Sequence, residues 1–316
     1  MTNVHIWKLG NHYEGTEDRN GGKAEFNFIY NHLMEACQKH RASLSLYPLP
    51  TIAERENRTV TFIVNGIIAG NDRYKAEMAR NWSDVLVYIF TDYGFAENNE
   101  DIIKMCDFVL HQSPMDRKFE LFGIPGAYSY IPELFFDTSI PVSEMKIDIC
   151  FFGGNQAGRE DEFGEYIIEK RDGFPAMRIK DGIAAFFKDK QGKDFRIAYK
   201  DYRRVLSLFQ FAFVSGRTAG KEVGWVTPRL VEAVNAGCVP ILIGDYDPMN
   251  HFGFEANRVN GYKELKYFME EVDLEEEKSR LDRAAEQILE GQDKFVDLMK
   301  EMFFEVRPLH SGKTMV

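Results

Sequence analysis

The chain has 316 residues, more than one hydrophobic core usually accommodates, so two domains are expected. Its 44% hydrophobic and 28% charged content are those of an ordinary soluble globular protein, and no apolar run is long enough to span a bilayer. A formal net charge of −11 argues against a protein that coats nucleic acid, whose affinity comes mostly from neutralising phosphates, but leaves room for a local basic surface.

Short β-type runs alternate with helical patterns, which predicts α/β units with mostly parallel sheets. VHIWKL (4–9) reads as a strand ending at Gly10 and Asn11. After a polar, glycine-bearing loop, AEFNFIYNHLMEACQKH (24–40) has helical spacing, with Phe26, Ile29, Leu33 and Cys37 on one stripe. LSLYPL, TVTFIVNG, VLVYIFTD and CDFVLHQSP follow as strands, and DTSIPVSEM (137–145) is the candidate linker. The pattern then restarts. KIDICFFGG is a buried strand ending in two glycines, EDEFGEYIIEKR a helix, and RVLSLFQFAFVSG a helix running into a strand. PRLVEAVNAG is a helix stopped by glycine, VPILIG a strand, and from about Tyr262 onward the chain is helical. The acidic stretch 270–280 reads as a solvated helix face, because it lacks the glycine turn and ligand alternation of a calcium loop. The expected architecture is two Rossmann-like halves with a cleft between them, spanning 1–145 and 146–291, with a C-terminal helix of about 292–316 packing back on the first half.

The segment 164–204 carries 11 Lys/Arg against 7 Asp/Glu, a net of +4 in an otherwise acidic chain, and reads as a solvated helix face with its connecting loop. The start, MTNVHIWKLGN, lacks the basic-then-apolar order of a secretory signal. Cys37, Cys106, Cys150 and Cys238 are far apart, with no CxxC pair and no histidine at metal-ligand spacing. Reduced thiols in a cytoplasmic protein is the reading.

Candidate chemistry gathers at strand ends. In TPRLVEA, Pro228 suits the first helical turn, which puts Arg229 and Glu232 one turn apart on one face. An arginine at a helix start can meet a diphosphate, and a glutamate one turn further in can accept both hydroxyls of a ribose. The alternative is an intrahelical Arg–Glu pair with nothing opposite it. In FFGGNQAGREDEF, Gly153 and Gly154 end a strand, where backbone can approach a ligand closely, and Arg159 follows in a polar loop. Asp92, just past the strand VLVYIF, could act as general base on an acceptor hydroxyl, or merely cap the next turn. Glu25, at the opening of the first long helix, is either a capping glutamate or a cleft residue. His12, after the first strand, and His111, at the end of another, are candidate acceptor contacts. Asp245 and Asp247 have DxD spacing but fall in a loop before Pro248, so no metal site is assigned.

In chain order, WKLGN, GGKAEFNFIY, VYIFTD, YSYIPE, FFGGNQAGRE and TPRLVEAVNAGCVPIL make the sequence resemble the DNA β-glucosyltransferases of T-even bacteriophages. These are GT-B glycosyltransferases acting on 5-hydroxymethylcytosine in DNA. The resemblance is collinear over most of the chain. It implies an inverting enzyme taking a sugar, glucose or a pentose such as arabinose, from a UDP-sugar to double-stranded DNA carrying 5-hydroxymethylcytosine. Such a modification serves phage restriction evasion. It implies Asp92 as base and Glu25 as the acceptor-side glutamate. Gly10, Asn11, Gly153, Gly154, Asn155, Arg159, Arg229 and Glu232 would serve the donor, and His12, Tyr93 and His111 the acceptor. Where the family's donor loop has two arginines, this one is two residues shorter and keeps Arg159 alone; Arg217 and Lys221 are the candidates for the second contact. After Asp92 the chain reads YGF in place of the family's basic, proline-containing segment. A cytoplasmic monomer with no membrane partner is expected, in the host cell if phage-encoded, and at most a divalent metal assisting product release. The rival expectations are a GT-B transferase of a bacterial glycan, lipid head group or small metabolite, and a non-catalytic nucleotide-sugar-binding protein.

Overall fold

A computed structural model of the chain describes residues 2–8, 21–46, 57–64, 72–90, 100–111, 127–129, 147–152, 169–170, 176–179, 183–186, 199–215, 227–244 and 253–304. The chain divides into two compact units, residues 1–134 with 290–316, and residues 135–289. The expected linker 137–145 lies outside the described residues.

The first unit holds a sheet of β1 (Thr2–Lys8), β2 (Ser43–Leu46), β3 (Arg58–Val64), β4 (Val85–Phe90), β5 (Phe108–His111) and β6 (Ala127–Ser129). Every pairing is parallel, in the order β2-β1-β3-β4-β5-β6. A parallel sheet is covered on both faces, so its strands are buried, and mostly apolar, along their whole length. β3 shows this, with all residues after Arg58 buried. α1 (Gly21–His40) starts three residues ahead of the expected helix, and Ile29, Leu33 and Cys37 of the expected stripe are buried. α2 (Asp72–Trp82) and the short α3 (Glu100–Ile103) were not expected.

The amino-terminal edge of this sheet is sealed by polar bonds. Asp107 is fully buried and accepts Leu86 N at 2.8 Å and Arg80 Nη1 at 2.6 Å, while Arg80 Nη2 reaches Ser83 O at 2.9 Å. Thr61 and Ser83 hydroxyls meet at 2.5 Å, and Asp84 Oδ2 accepts Thr59 N at 2.8 Å. Removing the Asp107 carboxylate would strand the Arg80 charge and the Leu86 amide. Asp107→Ala should therefore cost about 3–5 kcal/mol in denaturant unfolding. A loss well under 1 kcal/mol would show that the pair does not hold this edge.

The second unit has β7 (Ile147–Phe152), β8 (Glu169–Lys170), β9 (Ala176–Ile179), β10 (Ile183–Phe186), β11 (Phe209–Val214), β12 (Val239–Ile243) and β13 (Arg258–Val259). The order is β13-β12-β11-β7-β10-β9-β8, parallel from β13 to β10 and antiparallel for β10-β9 and β9-β8. Two expectations are corrected here. The helix EDEFGEYIIEKR does not run to its expected end, since Glu169 and Lys170 form β8. The +4 segment is a helix only at its end, over residues 199–204, because β8, β9 and β10 also lie within it as strands, β9 and β8 extending the sheet edge in antiparallel fashion. Cross-strand pairing, which no local periodicity reports, overrides the helical spacing there.

α4 (Tyr199–Leu206) precedes β11, α5 (Pro228–Asn235) joins β11 to β12, and α6 (Tyr262–Glu271) and α7 (Leu274–Phe304) follow β13. Alternate residues of the central strands, Phe211 and Phe213 with Val239, Ile241 and Ile243, point to one face and pack with Leu265, Phe268 and Leu281 of α6 and α7. Phe211 and Phe268 meet edge-on, with ring centroids 6.0 Å apart. The acidic stretch is only partly a solvated face. Asp273 Oδ1 accepts the amides of Glu275 and Glu276 at the start of α7, at 3.0 and 3.1 Å. Glu277 is buried, accepting Asn257 Nδ2 at 2.8 Å and pairing with Arg280 at 3.0 Å. Pro240 is accommodated inside β12 because β13 pairs only with Leu242 and Ile243, and the Pro240 carbonyl instead accepts Asn257 Nδ2 at 3.1 Å.

Candidate functional site

Both sheets wind in the same way. Counting the parallel strands of each unit in chain order, the first runs 2-1-3-4-5-6, as β2-β1-β3-β4-β5-β6, and the second 2-1-3-4-5, as β10-β7-β11-β12-β13. In such a sheet the chain leaves the first and third strands in opposite directions, and the crevice outside their carboxyl ends is the usual ligand position. In the second unit that point lies between β7 and β11. The residues directly following them are Gly153 and Gly154 after Phe152, and Ser215 after Val214. Because α5 carries the chain from β11 to the parallel β12, its N-terminus starts at this same edge.

α5 is built for burial. Leu230, Val231, Ala233 and Ala236 are wholly buried, and the helix packs on β11 and β12. Thr227 is the N-cap with extended backbone, φ −69° and ψ 141°, and Pro228 occupies the first turn, as expected of a residue with no amide to satisfy. At the other end Gly237 takes φ 69°, its amide bonding Val234 O at 3.0 Å while Cys238 N bonds Ala233 O at 2.9 Å. This pair of bonds closes the helix and turns NAGC into β12, and the left-handed conformation suits glycine. Arg203 of α4 supports the same end, donating Nε to Asn235 O at 2.8 Å.

On this frame Arg229 Nη1 donates to Glu232 Oε2 at 2.5 Å, with the arginine side chain 33% and the glutamate 7% exposed. The intrahelical pair is thus present. A carboxylate drawn into a nearly all-apolar helix requires a partner, and Arg229 is one. Its position in the first turn, at the carboxyl edge of β11, is also where helix amides and dipole favour an anion.

The other candidates fall as follows. Glu25 is the fifth residue of α1, not its opening, because the helix begins at Gly21. His111 is the last residue of β5, at the carboxyl edge of the first sheet. Gly10, Asn11, His12, Asp92, Tyr93, Gly153, Gly154, Asn155, Arg159, Arg217 and Lys221 lie outside the described residues, as do Asp245 and Asp247. Chain connectivity nonetheless ties Gly10, Asn11 and His12 to the end of β1, and Asp92 to the end of β4.

Sequence reasoning missed Ser215. It is 1% exposed, and its Oγ has no hydrogen-bond partner among the described residues. A lone serine after a strand carries no signal in the sequence; only the closed surroundings make it unusual. Arg203 was missed because the run KDYRR reads as solvated charge. Cys37, Cys106 and Cys238 are buried free thiols, and burial pushes Cys37 up to about 12 and raises Cys106 as well, so neither is poised as a nucleophile.

Among the described residues, no group of three or more His, Cys, Asp or Glu could hold a metal ion, and no helix is long and apolar enough to cross a membrane. No family model matches the chain, and no curated protein matches it in sequence. Solved structures do. The DNA modifying enzyme β-glucosyltransferase, determined in the presence and absence of its substrate uridine diphosphoglucose, superposes with a TM-score of 0.62 at 15% identity over 93% of this chain and 99% of that one. OtsA in its apo form superposes with a TM-score of 0.54 at 8% identity over 97% of this chain and 100% of that one. With two parallel-stranded Rossmann-like units, the chain has the α/β fold of the GT-B glycosyltransferases.

Proposed function

We propose that the chain is an inverting, UDP-sugar-dependent glycosyltransferase, with the hydroxyl of 5-hydroxymethylcytosine in double-stranded DNA as its acceptor. One observation carries the donor half. Arg229 and the buried Glu232 sit in a helix that begins at the switch-point edge of the second sheet, the edge at which β7 ends at Phe152, just before Gly153 and Gly154 in the chain. The acceptor half rests on the likeness in fold to a DNA modifying enzyme whose substrate is uridine diphosphoglucose, together with the ordered motifs that carry Glu25 and Asp92 in the first half of the chain.

In this reading the acceptor oxygen attacks the anomeric carbon of the sugar as the bond from that carbon to the diphosphate breaks. Asp92 takes the proton the oxygen loses, and UDP departs with the bonding electrons. Arg159 and Arg229, with Arg217 or Lys221, offset the charge growing on the diphosphate, the kind of interaction that usually contributes most. Glu232 receives the ribose hydroxyls, and Gly153, Gly154, Asn155, Gly10 and Asn11 serve the donor. Glu25 orients acceptor or sugar, with His12, Tyr93 and His111 on the acceptor side. A base inside a duplex must leave the stack to reach Asp92.

The net charge of −11 favours a second reading, a transferase of the same fold acting on a bacterial glycan, lipid head group or metabolite. Mass spectrometry separates them. The protein is incubated with DNA containing 5-hydroxymethylcytosine and a mixture of UDP-sugars. A gain of one sugar on the base is expected, and its mass distinguishes hexose from pentose. Unmodified DNA alongside UDP binding would retain the donor half and move the acceptor to glycans or metabolites. Binding to DNA should also weaken steeply with salt, about tenfold or more between 50 and 200 mM. A salt-independent affinity would count against phosphate contacts.

A further inference from the structure

Resting on the donor half of that reading, we propose that Ser215 is a further donor-site residue, its hydroxyl donating a hydrogen bond to the diphosphate of the bound nucleotide. Ser215 is 1% exposed and its Oγ has no hydrogen-bond partner among the described residues, so a polar group has been taken from water with no return. Folded chains leave few such groups, and each one calls for a reason. A packing role does not supply it, since alanine would fill almost the same space without the desolvated hydroxyl.

Its place in the fold does supply one. Ser215 directly follows β11, the strand flanked by β7 on one side and β12 on the other. It therefore stands at the carboxyl edge where the second sheet changes direction, beside the strand that runs into Gly153 and Gly154. The same strand leads through the next segment to α5, whose first turn carries Arg229. A group here meets whatever anion the α5 N-terminus and Arg229 attract. A serine hydroxyl can both donate and accept, and toward a phosphate oxygen it donates, a charge-assisted bond stronger than one between neutral groups. With Ser215 1% exposed, ligand access to Oγ requires a local opening of the kind ligand-binding segments undergo.

Ser215→Ala tests this by two readouts that a structural serine would move together and a ligand-binding serine moves apart. UDP affinity, by calorimetric titration of the full chain, should fall about tenfold or more. The Tm without UDP should stay level or rise, because the variant no longer buries an unpaired hydroxyl. Equal UDP affinity in variant and wild type would overturn the Ser215 assignment and leave the donor reading intact. A lower Tm of the UDP-free variant would overturn it too, by revealing a structural bond. If the wild-type chain binds no UDP at all, the donor reading itself fails and this inference falls with it.

Discussion

Asp92→Asn is expected to cut sugar transfer about a hundred- to ten-thousandfold, the range a positioned general base contributes, while leaving UDP binding within about twofold. The expectation is built from the strand that leads to it. β4 is paired with β3 on one side and β5 on the other, and its residues from Val85 to Ile89 are fully buried. Such a strand has no freedom to slide, so its last residue, Phe90, is held at the carboxyl edge of a parallel sheet, two positions before Asp92 in the chain. Asparagine keeps the size of the side chain and loses only the ability to take a proton. The proposed donor contacts at Arg229 and Glu232 belong to the other unit, which is why binding should survive. Single-turnover transfer and UDP titration on the same preparation check both halves. If Asp92→Asn turns over normally and Glu25→Gln does not, the base is Glu25 and the roles exchange. If neither variant is impaired, the mechanism proposed here is wrong.

How far the letters alone lead depends on which forces act locally. TVTFIV, VLVYIF and VPILI are legible because a strand buried on both faces is mostly apolar and rich in β-branched residues. NAGC is legible as a helix stop because the left-handed residue that closes α5 is glycine. The two residues of β8 and the two of β13 are not legible, since their strand character exists only through their neighbours in the sheet. Nor is the winding order, which depends on pairings such as β10 with β7 and β7 with β11 that no short window contains. The candidate site divides along the same line. Arg229 and Glu232 announce themselves by spacing. That Glu232 is buried, that Glu277 of the acidic run is buried with Asn257 and Arg280, and that Ser215 lies unpaired at a strand end are tertiary facts. Each looks ordinary in the sequence because burial of a polar residue is decided by what packs over it.

Arg229→Ala is expected to lower kcat/KM about a hundred- to a thousandfold, as the loss of one preorganised donor to developing charge does elsewhere. It should also destabilise the fold by about 1–3 kcal/mol. That second effect follows from Glu232, which at 7% exposure would lose its ion pair with Arg229. Arg229 is 33% exposed, so solvent screens part of the pair and the cost stays below that expected for Asp107. Because the two effects have different origins, a second substitution separates them. Adding Glu232→Gln removes the buried carboxylate and should recover most of the stability. It cannot restore a cation at the first turn of α5, so transfer should stay depressed. If Arg229 and Glu232 were only a structural pair, the double variant would regain both stability and turnover, and Arg229→Ala would lose activity only in proportion to the folded fraction. Arg229→Lys sharpens the distinction. Lysine retains the charge beside Glu232 and so most of the stability, but it lacks the planar fork that holds two phosphate oxygens. Stability near wild type with transfer still reduced would place Arg229 on the diphosphate, whereas full activity with lysine would reduce its contribution to charge alone.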